Sequence, residues 1–328
     1  MQGEKITGSK YVAGIDYMRK IFTQTLIELA QEDSRIVLLT ADLGYTVLEP
    51  FRERFPDRFF NVGVAEQNML GIATGFAKMG FFPFVYSIAA FASLRPFEFI
   101  RNGPVNHNLP VRIIGVGGGF EYDYAGITHY TLEDIGVLRT QPNLSVYVPA
   151  DDAQAKQCLL STWNCDGPVY YRLGKRDNTV LPGLHGRFDQ SGVACIREKG
   201  NDVLLLATGP IASEALGAAD ILEKIGIGAT VAVVSRLAPP PADALIPLLY
   251  QFPVTVTVEA HYRHGGLGSL AAEVIAGMGG GRLACCCVDT VPTGRSGTES
   301  YMNDCFGLSS QRIAAKVLRV IRDAKKAA

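Results

Sequence analysis

The chain has 328 residues, 48% of them hydrophobic and 19% charged, with a formal net charge of −1. That balance supplies no global basic field for nucleic acid or an anionic membrane surface, and no apolar run reaches the ~20 residues that a membrane-spanning helix needs. The length is more than one compact core ordinarily uses and suits two domains.

From the N-terminus, MQGEKITGSK lacks the apolar stretch of a signal peptide, so a cytoplasmic protein is expected. Tyr17–Gln31 has helical periodicity, and Ile36–Thr40 and Phe59–Gly63 read as strands before a helix over Glu66–Met79. Further strands are predicted at Phe82–Tyr86, Val111–Val116, Ser145–Pro149 and Val169–Leu173, with a helix over Ala153–Trp163. The uncharged run GFFPFVYSIAAFASL (80–94) contains a proline and reads as a buried strand and loop. Residues 174–192 carry several glycines and no period. A second series follows at Val203–Ala207, Ala229–Val234, Val254–Glu259 and Leu283–Val288, closed by a helix over about 309–324. Short apolar β-branched runs alternating with helices predict an α/β protein whose parallel strands are covered on both faces. Two doubly wound, mostly parallel-sheet domains are therefore expected, 1–178 and 193–328, joined by a linker at 179–192. The seven cysteines include the triplet Cys285, Cys286, Cys287, but an odd count without a CxxC pair reads as buried thiols, not as a disulfide framework or zinc site.

The chemistry concentrates in FFNVGVAEQNMLGIATGFA (59–77), where a strand gives way to a helix opened by Glu66. A carboxylate in a first helical turn is ordinarily a dipole partner. This one stands at the carboxyl end of a strand, where open α/β sheets place ligands, and desolvation among apolar groups favours a neutral acid able to donate to a ring nitrogen. His129 precedes Thr131 and Asp134, which are spaced like a capping box. Arg172 ends the strand PVYYR and reads equally as a bidentate anion ligand or a structural ion pair. Asp42 in TADLG reads as a turn acid, and Arg95, Glu98 and Arg101 read as a solvated or interface charge network. HYRHGGLGS (261–269) could hold an anion at a helix N-terminus but reads as a tight turn and interface packing.

TADLG (40–44), GVAEQNM (63–69), SIAAFASLRPFEFIR (87–101), GITHYTLEDIGVLRTQPNLSVYVPAD (126–151) and GPVYYRLGK (167–175) stand in an order that resembles the pyrimidine-binding domain of transketolases. TVEAHYRHGGLGS (257–269) and TGRSGTESYMNDCFGLSSQRIAAKVL (293–318) are similar to the family's C-terminal domain, so the resemblance covers nearly the whole chain. It implies that Glu66 hydrogen-bonds N1′ of the aminopyrimidine of thiamine diphosphate, promoting the imino tautomer that deprotonates the thiazolium carbon. It further implies that Phe91 stacks on the pyrimidine, with Ile88 where many relatives carry a second aromatic, and that Asp42 lies at the cofactor cleft between subunits. His129 becomes a substrate contact and proton relay, and Arg172 a grip on a phosphate tail.

The family's diphosphate and Mg²⁺ are held by a domain marked by GDG and a later Asn. Cys165-Asp166-Gly167 lacks that context, and the stretch ahead of GVAEQ is too short for such a domain. The resemblance therefore implies one subunit of a split transketolase, with no metal ligand of its own and a GDG…Asn partner, as an α2β2 heterotetramer. Its reaction would be ketol transfer from a ketose to an aldehyde. The β subunit of a 2-oxo acid or acetoin dehydrogenase, a 1-deoxyxylulose-5-phosphate synthase-like enzyme and a non-catalytic partner subunit are the alternatives. Tyr130 fills the place of the synthase's second histidine. Ala125 and Gly117 stand where relatives use an Asp and a phosphate-binding His, which predicts weaker dependence on a phosphate tail and tolerance of nucleotide-linked or other unusual sugars.

Overall fold

A computed structural model describes residues 18–175, 180–189 and 191–326. The N-terminal segment, Tyr17, linker positions 176–179 and residue 190 lie outside them. In chain order the strands are β1 (Ile36–Thr40), β2 (Phe59–Asn61), β3 (Phe82–Ile88), β4 (Arg112–Val116), β5 (Ser145–Tyr147), β6 (Val169–Leu173), β7 (Val193–Glu198), β8 (Val203–Ala207), β9 (Ala229–Val234), β10 (Arg236–Ala238), β11 (Thr255–Tyr262) and β12 (Leu283–Val288). They form a seven-stranded sheet, β2-β1-β3-β4-β6-β5-β10, and a five-stranded sheet, β12-β11-β8-β9-β7. Pairing is parallel except at β10 on β5 and β7 on β9.

The expected two-faced burial is visible in β1, where all five residues are buried. Ile36 and Leu38 join the core under the helices Met18–Glu32 and Asp152–Thr162, with Phe22, Leu26 and Leu159. Val37 and Leu39 turn to the opposite face and meet Met69, Leu70 and Ala73 of the helix Glu66–Lys78. This is the period-two alternation of a strand sandwiched between helices.

Two strands escape the sequence pattern. β7 is a half-buried antiparallel edge, and β10 is only three residues long, too short to show a period. β10 nonetheless binds the two halves of the chain: it follows β9 of the second sheet and pairs Arg236 with Tyr147 and Ala238 with Val146 in the first. One apolar cluster runs across the same seam, joining Val146, Val148 and Tyr170 to Leu204, Leu237 and Leu267.

The chain leaves β1 for β2 on one side and returns to pair β3 on the other. Such a reversal opens a crevice at the carboxyl ends of the strands. The segments leaving β2 and β3 lead directly to Glu66 and Phe91.

Candidate functional site

Glu66 is held at the mouth of that crevice because its helix is pinned by Met69, Leu70, Ala73 and Ala77, one buried stripe at helical spacing. The N-cap, Ala65, offers no side-chain cap, so the carboxylate meets the positive end of the helix. Glu66 is only 4% exposed. Ile88 ends β3 in the core, and the short helix Ala89–Ser93 that follows presents Phe91.

Arg95 completes this corner. Its Nη1 donates to both Glu66 oxygens at 3.0 and 3.1 Å, and its guanidinium carbon lies 3.8 Å over the Phe91 ring. Gln67 Nε2 donates to the Arg95 carbonyl at 3.3 Å. The apolar surroundings expected for Glu66 thus include a cation, and Arg95 belongs to the site instead of a solvated network.

The array continues from Phe91. His129 packs edge-on at 5.2 Å between centroids, its Nδ1 lies 2.9 Å from Thr128 Oγ1, and Tyr122 follows at 5.8 Å. Lys175 Nζ stands 4.7 Å over the Tyr122 ring and donates to the Glu121 carbonyl at 3.2 Å. Burial pushes the Tyr122 phenol up, so it stays a neutral hydrogen-bonding group. Tyr122 and Lys175 are absent from the sequence reading, although Lys175 closes the GPVYYRLGK segment itself. Tyr122 also accounts for Gly117. That glycine has φ +80°, and a Cβ there would meet the Tyr122 ring at 2.2 Å. The space assigned to a lost histidine is filled by another side chain, and a histidine cannot simply be restored.

Arg172 does not reach this array. It is 3% exposed; its Nε lies 3.1 Å from Asp134 Oδ2, and its Nη2 donates to the carbonyls of Thr131 at 2.6 Å and Ala260 at 3.1 Å. Of its two sequence readings, the buried ion pair describes the structure and the phosphate grip does not. Asp134 is likewise no cap, because Tyr170 also donates to it, at 2.7 Å. Tyr130 is buried, its hydroxyl donating to the Asp123 carbonyl at 2.7 Å. Asp42 joins a neighbouring group: it exchanges hydrogen bonds with Asn61 and lines a cavity of about 280 Å³ with Tyr45, Glu49 and Arg52.

The Arg172 pair belongs to a polar seam between the sheets. Glu259 accepts from Leu267 and Gly268 at 2.6 and 2.7 Å, so the chain's own carboxyl group takes the start of the helix Leu267–Gly277, the place the sequence offers to an outside anion. His261 accepts from the Gly136 amide at 3.2 Å and its Nδ1 lies 2.7 Å from the Tyr262 carbonyl, an arrangement that suits the neutral ring. Burial raises Glu259 from 4.5 to about 7, so its contribution to stability is full below pH 4.5 and lost as pH rises through about 7. Burial lowers His261 from 6.5 to about 4, so its contribution is present above pH 6.5 and lost as pH falls through about 4. Between 4.5 and 6.5 the two oppose each other. Glu259→Gln removes the first, and its melting temperature is expected to fall more steeply than the wild type's on acidification across that window. Parallel melting curves would show that Glu259 does not titrate there.

The transketolase pyrimidine-binding domain model matches residues 17–179, and the transketolase C-terminal domain model residues 192–313. The 6-deoxy-6-sulfo-D-fructose transketolase subunit SqwH of Clostridium sp. (strain MSTE9) is 36% identical over 309 residues, covering 90% of this chain and 92% of that protein. The chain belongs to the transketolase family. Another relative, an apulose-4-phosphate transketolase subunit from Phocaeicola vulgatus, is 34% identical over 262 residues, covering 79% of this chain and 83% of its own. A solved structure described as a split gene transketolase, inactive β4 tetramer, superposes with a TM-score of 0.84 at 34% identity, covering 93% of this chain and 98% of that one. The two α/β domains are thus the transketolase pyrimidine-binding and C-terminal folds, and the chain is a transferase-type enzyme subunit.

Proposed function

We propose that this chain carries the pyrimidine half-site of a split, thiamine-diphosphate-dependent transketolase, which moves a two-carbon ketol unit from a ketose to an aldehyde. The buried carboxylate of Glu66 beside the Phe91 ring carries this reading. A planar guanidinium engages both groups, through an N–H to the carboxylate and a face on the ring. A planar aminopyrimidine fits the same pair. When bound, the cofactor supplies the nucleophilic carbon and the electron sink. Glu66 holds the proton exchanged at N1′, Phe91 fixes the plane of the ring, and His129 hydrogen-bonds the ketose oxygens and passes protons to them.

We assign the diphosphate and Mg²⁺ to a GDG…Asn partner in an α2β2 assembly, since such a site needs hard oxygen ligands. Among the described residues no three His, Cys, Asp or Glu come together as a possible metal site. The inactivity of the β4 tetramer in the similar solved structure supports dependence on a partner. We place the complex in the cytoplasm, where seven unpaired thiols stay reduced.

The relatives named for 6-deoxy-6-sulfo-D-fructose and apulose-4-phosphate point to ketoses with an anionic tail. With Arg172 buried, Lys175 is a cation at the end of the array away from Glu66, over the Tyr122 ring, and we assign it to that tail. The dependence on the tail is then stronger than Gly117 and Ala125 suggest. The test is reconstitution with the partner, thiamine diphosphate and Mg²⁺, using ketoses with and without a phosphate or sulfonate. Turnover is expected with the anionic ketoses, and Lys175→Met should lower their kcat/KM by about 10–100-fold, one charge-assisted hydrogen bond, with little effect on a neutral ketose. An equal loss for both kinds of ketose would remove Lys175 from the substrate site. No turnover of any ketose would overturn the function.

A further inference from the structure

One guanidinium makes both contacts that the proposed function gives to a heterocycle. We propose that Arg95 is a competing occupant of the aminopyrimidine subsite, so that loading thiamine diphosphate is an exchange in which the pyrimidine displaces Arg95 from Glu66 and Phe91. The inference rests on the proposed roles of those two residues.

Three observations carry it. The Arg95 group is planar, offers an N–H to each Glu66 oxygen at 3.0 and 3.1 Å, and lies on Phe91 at 3.8 Å. Those are a hydrogen-bond donor and a flat face, the two features an aminopyrimidine would present. The face of Phe91 within reach of Glu66 is the one Arg95 covers, because a single guanidinium touches both, and two planar groups cannot share it. Finally, the partners differ in freedom. Glu66 is 4% exposed and fixed in a packed helix, whereas the Arg95 side chain is 46% exposed and lies beyond the helix Ala89–Ser93. With its carbonyl tied to Gln67, Arg95 can release its side chain to water without moving its backbone.

A half-exposed ion pair with one cation–π contact is a weak lock. It holds the subsite closed in most molecules and yields to a ligand anchored elsewhere by its diphosphate. The apparent dissociation constant of the ligand is then its intrinsic value divided by the fraction of molecules with Arg95 displaced. Removing Arg95 should tighten binding by about tenfold.

The experiment titrates the full chain by NMR with 4-amino-5-(hydroxymethyl)-2-methylpyrimidine, and the reconstituted complex by calorimetry with thiamine diphosphate and Mg²⁺. Arg95→Met and Arg95→Gln are compared with wild type; the glutamine, shorter and uncharged, cannot make the paired contacts of Arg95 yet keeps a polar side chain at this half-exposed position, and so guards against a loss of fold. Both variants are expected to bind roughly tenfold tighter than wild type in each titration. Equal or weaker binding in the complex overturns the exchange. Phe91→Ala, added to Arg95→Gln, separates the two ideas. If it leaves affinity unchanged, the placement of the cofactor itself is wrong. If it weakens binding while the Arg95 variants match wild type, only the exchange is wrong.

Discussion

Glu66→Ala in the reconstituted complex is expected to lower kcat by about 10²–10⁴-fold, the span that one positioned acid–base group contributes. The fold should survive. Its helix is held by Met69, Leu70, Ala73 and Ala77, whose packing does not depend on the carboxylate. Arg95, left without its partner, already has nearly half its side chain in water, so the lost ion pair and helix-start acid should cost only about 1 kcal/mol. The decisive measurement is therefore a split: turnover collapses while the melting temperature hardly moves. A variant with near-native turnover would reduce Glu66 to a helix-start acid and remove the observation on which the proposed function stands.

Arg172→Met should do the reverse. Asp134 is fully buried, and its carboxylate faces Arg172 and the Tyr170 hydroxyl. Removing the guanidinium strands that charge, takes the Arg172 donor from the Ala260 carbonyl and leaves the Thr131 carbonyl with the Gly119 amide alone. Breaking one partner of a buried pair typically costs about 3–5 kcal/mol, a fall in melting temperature on the order of 10 °C. Replacing both, Arg172→Met with Asp134→Leu, should recover part of the loss, because no charge is left buried. If Arg172→Met instead kept its melting temperature and lost kcat/KM selectively for anionic ketoses, the arginine would be a substrate ligand after all.

What the sequence discloses and what it hides follow from the range of the interactions involved. Glu66 is legible because its meaning is local: a strand ends, a helix begins, and the acid falls between them. The alternating burial of β1 is legible for the same reason. Arg172 is ambiguous because a cation at a strand end looks alike whether it faces water or Asp134, and the choice is made by β11 packing against it from 88 residues away. Arg95 is misread because its spacing from Glu98 and Arg101 fits a helix face, while its partner lies 29 residues earlier across the crevice. Gly117 reads as a deletion of function, yet its neighbour Tyr122 occupies the space. For both arginines the deciding atom belongs to a segment remote in sequence.

Strand β10 limits how this polypeptide can be divided. The linker after residue 178 looks in sequence like a natural place to separate two modules, but the hydrogen-bond ladder does not end there, since β10 closes the edge of the first sheet from within the second half. Genetic fission at that point would leave β5 with an open row of N–H and C=O groups, the kind of template that recruits foreign strands. It would also cut through a shared apolar cluster. A cut in the linker therefore does not release two independent modules: the sheets stay joined through β10 and the shared cluster.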